Sequence, residues 1–131
     1  MYPESEHSSL RIRIEIETIK MITWPAILVH ADDPELDYFA SRALLEKHLK
    51  QRLIETGSND YLVDSKGFVF SLSRENTGEV LLRKTGEKQS LDQVLGLVRA
   101  HASRAGYCCV AKLWAPTIVE AYAIVDALAE D

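Results

Sequence analysis

The sequence predicts an α+β domain, with an antiparallel or mixed sheet of about five strands covered by about three helices. Two stretches, 41–55 and 90–105, repeat apolar residues every three or four positions, as helices buried along one side do. Short runs at 22–30, 61–63, 68–72 and 80–83 are rich in branched and aromatic residues and are bounded by turn residues. A third helical stretch, 116–128, follows an almost wholly apolar run at 107–113.

The elements follow in order. Residues 1–9 are polar, and Leu10 to Glu17 alternates apolar with charged side chains, as one strand would. Residues 1–20 are therefore expected to be an N-terminal appendage, disordered or an extra edge strand, on a single domain spanning 21–131. Ile22 to His30 is a strand in which Pro25 needs an edge position or a bulge. Ala31-Asp32-Asp33-Pro34 turns the chain into a second strand at Leu36 to Phe39. The 41–55 helix buries Leu44, Leu45, Leu49, Leu53 and Ile54 and stops at Gly57. Tyr61 to Lys84 is a meander with turns at Asp64-Ser65-Lys66-Gly67 and Asn76-Thr77-Gly78. Ser90 with Gln93 makes a capping box for the next helix, and Gly106 ends it. Tyr107 to Leu113 is expected to be the central strand, buried on both faces, with Val110, Cys108 and Cys109 in the core. Pro116 opens the last helix, whose stripe is Ile118, Ala121, Tyr122, Val125 and Leu128.

Composition excludes several function classes. The chain has 131 residues, 47% hydrophobic and 27% charged, which suits one ordinary globular domain. Twenty acidic against 15 basic residues give a net charge of −5, which argues against nucleic acid as a general partner. No apolar run reaches the length of a membrane span, so no membrane partner is expected. The only cysteines are adjacent and cannot staple distant segments, which points to a reducing compartment, the cytoplasm.

Ile22-Thr23-Trp24-Pro25-Ala26, the acidic Asp32-Asp33-Pro34-Glu35-Leu36, and His101 with Cys109-Val110-Ala111-Lys112 resemble a small uncharacterised bacterial domain family. Members of that family begin at a methionine before the Trp-Pro pair, corresponding to Met21. The resemblance implies no activity and assigns no site residue.

The polar residues offer few sites. His101 with Cys108 or Cys109 falls short of the four ligands zinc requires, and no oxyanion or nucleophile motif accompanies them. Neither a metal nor a cofactor is expected. Asp32, Asp33, Glu35 and Asp37 lack the oxygen pattern of a calcium loop, and Asp32 or Asp33 is expected to cap its own turn. Arg42, Lys47, His48, Lys50 and Arg52 fit a solvated helix face with a Glu46–Lys50 pair. Trp24 and Trp114 are expected at the edge of the core; an exposed tryptophan would mark a partner surface. Two functions follow. The first is a non-enzymatic accessory or protein-interaction module, with a protein partner or a homodimer. The second is a small-molecule-binding protein or small enzyme with a pocket near His101, Cys109, Lys112 and Trp114.

Overall fold

Side-chain alternation in the strands sorts the apolar residues into two clusters. Ala26, Leu28, Leu62, Phe70 and Leu72 gather on one side of the sheet, and Ile27, Val29, Val63 and Val69 on the other. Neighbours along a strand point to opposite faces, so strands this apolar throughout must be covered on both. The computed structural model describes residues 11–13, 16–51, 59–74 and 79–129 and shows what covers them.

The strands are β1 (Arg11–Arg13), β2 (Ala26–His30), β3 (Asp33–Phe39), β4 (Tyr61–Val63), β5 (Phe68–Arg74) and β6 (Glu79–Lys88), in the sheet order β1-β6-β5-β4-β2-β3. The five from β2 to β6 are antiparallel, and β1 lies parallel to β6 at the far edge, with Ile12 opposite Val80. Among the helices, α1 (Ile16–Met21) is short, and three longer ones cover the sheet: α2 (Arg42–Gln51), α3 (Leu91–Arg104) and α4 (Ile118–Ala129). Leu45 and Leu49 of α2 seal the first face. Val94, Leu95 and Val98 of α3, with Ala121, Tyr122 and Val125 of α4, seal the second. The fold is α+β, as the apolar periodicities predict.

Local signals account for most boundaries. Ser90 N–H donates to Gln93 Oε1 at 2.8 Å and Gln93 N–H to Ser90 Oγ at 3.2 Å, closing the capping box. Gly106 sits at φ +95 and ends α3, with Gly106 N–H on Ser103 O and Tyr107 N–H on Ala102 O, both at 3.0 Å. These are the two bonds of a Schellman motif. The peptide between Trp24 and Pro25 is cis, and Pro25 precedes β2 rather than lying inside it.

Three expectations are corrected. Leu10 to Glu17 is not one strand: β1 ends at Arg13 and α1 starts at Ile16, while Leu10, Ile14 and Glu15 lie outside the described residues. Ile16, Ile19 and Ile22 recur at a spacing of three, a helical signal that competes with the alternation. Leu44 is exposed, because Leu45 and Leu49 already fill the face of α2 turned to the sheet. Leu53, Ile54 and Arg52, and the turn at 76–78, lie outside the described residues.

The third correction is the largest. Tyr107 to Leu113 is not a strand and not central. Cys109 takes a left-handed φ of 60, and Val110 to Lys112 form one turn of 3-10 helix, with Lys112 N–H on Cys109 O at 3.1 Å and Leu113 N–H on Val110 O at 3.0 Å. A left-handed residue breaks the extended path that pairing needs. The central places are held by β4 and β5, and the run crosses from α3 to α4 on the surface. Cys108 and Cys109 are exposed, and Val110 is only half-buried.

This placement yields a paired test. Val63 of β4 is fully buried, so Val63→Asp should put an unpaired charge in the core and unfold most of the chain. Val110→Asp should lower the urea midpoint far less, by the equivalent of about 1 kcal/mol of stability or under. Equal losses in the two variants would return the 107–113 run to the core.

Candidate functional site

β3 is the outer strand on its side of the sheet, and its register determines which groups face out. Val29 lies opposite Leu36, Leu28 opposite Asp37 and Ile27 opposite Tyr38. Leu36 N–H points away from β2 and donates to His101 Nδ1 of α3 at 2.9 Å. Ladder bonds alternate along a strand, so Tyr38, two residues on, also turns its N–H and C=O outward. Along this edge runs a groove of about 430 Å³, whose lining includes Glu35, Leu36, Tyr38, His48, His101 and Asp126. His101 is almost buried, and that burial pushes its pKa below the usual histidine value against the pull of Glu35 and Asp37. It therefore stays neutral and keeps a lone pair for Leu36.

On the α2 side of the same edge, His30 at the end of β2 is held between two carboxylates. Its Nε2 meets Asp37 Oδ2 at 2.8 Å and its Nδ1 meets Asp60 Oδ2 at 2.9 Å. Asp60 Oδ1 also accepts Ala31 N–H at 3.2 Å. Hydrogen bonding to Asp37, and then to Asp60, outweighs desolvation and raises the His30 pKa to about 9. His48 of α2 stands 3.7 Å from Asp37 Oδ2 and meets Phe39 edge-on, with ring centroids 5.0 Å apart. His30 thus carries a charge at neutral pH. Both its nitrogens are engaged, which makes it a bridge between β2, β3 and the start of β4 rather than a base.

The residues singled out in the sequence are not brought together. His101 lines the groove; Cys109, Lys112 and Trp114 sit on the loop from 105 to 117 and do not line it. Trp114 is 63% exposed, with Tyr107 at 39% and Val119 at 46%, so the core-edge expectation for Trp114 is corrected. Trp24 does pack against the first cluster. The loop is pinned: Arg99 Nε donates to Leu113 O at 2.9 Å and Ala115 is buried. In the acidic turn, Asp33 Oδ1 accepts Glu35 N–H at 2.9 Å, an Asx-type cap, while Asp37 goes to His30. Arg42 rather than Lys50 pairs with Glu46, at 2.6 Å. Among the described residues no group of three or more His, Cys, Asp or Glu is arranged to hold a metal, and no helix is long and apolar enough to cross a membrane. Sequence reasoning missed the His30–Asp60 bridge, whose partners are 30 residues apart and carry no local motif.

Residues 24–125 match the DUF4144 family, described as a protein structure with unknown function. The NMR structure of a protein from Shewanella amazonensis shares this fold with a TM-score of 0.61 and 24% sequence identity, over 82% of this chain and 90% of that one. No curated protein matches the chain.

Two predictions follow from this geometry. Because His30 is raised from 6.5 to about 9, the native state keeps a proton that the unfolded chain releases. Its stabilisation is complete below pH 6.5 and is lost as pH rises to about 9. With solvent screening of this partly exposed bridge, the loss should be about 1–2 kcal/mol. His101 acts in the opposite sense: with its pKa lowered, stability falls as pH drops below 6.5, where the unfolded chain binds the proton first. Urea midpoints should peak near neutrality, and His30→Gln should flatten the alkaline limb. A wild-type midpoint that holds constant from pH 6.5 to 9 would remove the bridge from the stability argument. Separately, both thiols of the native chain should react with Ellman's reagent without unfolding, since Cys108 and Cys109 are exposed. Labelling that waits for denaturant would contradict that exposure.

Proposed function

The chain belongs to the DUF4144 family, and we propose that it is a non-enzymatic protein-interaction module that holds a partner protein through the exposed loop between α3 and α4. The observation that carries this reading is the exposure of Trp114 at 63%, next to the largely apolar run at 107–113. Monomeric surfaces seldom leave a large indole in water beside further apolar groups, and tryptophan is enriched where binding energy concentrates. The loop is also held in one geometry, by the bonds that end α3 and by Arg99 on Leu113 O. A preformed loop loses little conformational freedom on binding. Tyr107 and Val119 extend the apolar surface on either side of Trp114 in sequence. His30 supports the non-enzymatic half of the reading, since both of its ring nitrogens are committed to carboxylates.

The test uses the full chain immobilised as bait and a partner captured from its source cell, or a second copy of the chain. Trp114→Ala should fold with an unchanged thermal midpoint and weaken the captured interaction by about 30-fold, the effect of losing roughly 2 kcal/mol at a central contact. Binding that survives both Trp114→Ala and Tyr107→Ala at wild-type strength would exclude this loop as the contact surface.

A further inference from the structure

An open strand edge is usually blunted by a charge, a proline or a covering segment. At Leu36 the edge of β3 is blunted by His101, and the blunting group is itself a donor. With Nδ1 accepting Leu36 N–H, a neutral imidazole carries its proton on Nε2. Nε2 meets no partner among the described residues, although only 9% of His101 is exposed and the ring lines the groove. His101 therefore takes up one strand N–H and presents another farther from the sheet. Tyr38 turns its N–H and C=O to the same side, by the alternation that sets Leu36 outward. The edge thus offers a short row of backbone-like donors and acceptors beside about 430 Å³ of open groove.

The charges at the groove select among occupants. Glu35 and Asp126 are exposed at its margins and form no ion pair among the described residues. Asp37 is already matched by His30. The surplus is negative, so an anion is disfavoured and a cation favoured. A helix has its own backbone bonds satisfied and could not use the edge groups; an extended chain can.

We propose that this groove binds an extended peptide segment bearing an arginine or lysine: its backbone adds to β3 at Tyr38, one of its carbonyls accepts from His101 Nε2–H, and its cation lies between Glu35 and Asp126. The occupant is a strand of another protein, and the surface is separate from the Trp114 loop, so the two readings can fail independently.

The experiment follows amide and imidazole resonances of the isotope-labelled full chain during titration. The probe is an acetylated and amidated peptide, Thr-Val-Thr-Arg-Thr-Val-Thr. Shifts are expected at Leu36, Tyr38 and the His101 ring, with Nε2 protonated and Nδ1 bare. Replacing the peptide arginine by glutamate should weaken binding about tenfold or more, and N-methylation of alternate peptide amides should abolish it. The double variant Glu35→Lys with Asp126→Lys changes two exposed residues, should keep the wild-type spectrum, and should now prefer the glutamate peptide. The proposal is overturned if no shift appears at millimolar peptide, if shifts fall only on the loop around Trp114, or if the charge-reversed variant keeps the arginine preference. It is equally overturned if acetyl-arginine amide alone binds as tightly as the peptide, which would make the groove a small-cation site. Pairing of two copies through β3 in place of any peptide response would overturn it as well.

Discussion

A single buried carboxylate, Asp64, joins the parts of this fold that sequence separates most. It is fully buried. An ionised group there is tolerable only if its oxygens are filled. Oδ1 accepts Lys66 and Phe68 N–H, each at 2.9 Å, and Oδ2 accepts Thr23 N–H at 3.0 Å. Around it, Ser65 N–H reaches Thr23 O at 3.0 Å and Ser65 Oγ donates to Pro25 O at 2.6 Å, which seats the run into β2 beside the β4–β5 turn. Tyr122 of α4 donates its hydroxyl to Val63 O and Asp64 O, both at 3.0 Å. Burial pushes the Tyr122 pKa up, so the hydroxyl remains a donor at any ordinary pH. Gly67 completes the turn at φ +93, where a Cβ would lie 2.2 Å from Gln89 O, and its own carbonyl accepts Gln89 N–H at 2.8 Å. Four consecutive residues thus bind the start of β2, the approach to α3 and the core of α4.

That anchoring determines which edge stays open. With α3 and α4 docked on one face and α2 on the other, β4 and β5 are enclosed, and β1 covers part of β6. β3 has β2 on one side and, among the described residues, no strand on the other. Its outer side is met by α3 through His101, while His30 and His48 gather on its α2 side around Asp37. The groove is therefore a product of layer order, not of a local motif.

This explains what could be read in the sequence. The stripes of 90–105 and 116–128, the Ser90–Gln93 box and the 61–72 hairpin are local patterns, and each appears where the pattern puts it. The 107–113 run failed because a short apolar run has no period that separates a buried strand from an exposed loop. What decides between them is whether the sheet has room, and its central places are already held by β4 and β5, paired through residues far from this run in sequence. His101 could be picked out as polar among apolar neighbours, but its use could not. Its partner is a backbone N–H 65 residues away, and a backbone group leaves no residue-type signal. His30, Asp37 and Asp60 were hidden for a related reason, since the acidic turn around Asp37 reads equally well as a solvated loop.

The two histidines also depend on one another through Asp37. A carboxylate near His101 favours its protonated form, and Asp37 is one of the two that do so. Protonated, His101 would turn an N–H toward Leu36 N–H, two donors face to face, and the bond that closes this part of the edge would be lost. His30 limits that pull by placing its own cation directly on Asp37 at 2.8 Å. Burial of His101 supplies the rest of the resistance. A charged histidine on one side of β3 and a neutral one on the other are thus parts of one arrangement. The first matches the acid, and the second, left uncharged, can serve the strand on one nitrogen and the groove on the other.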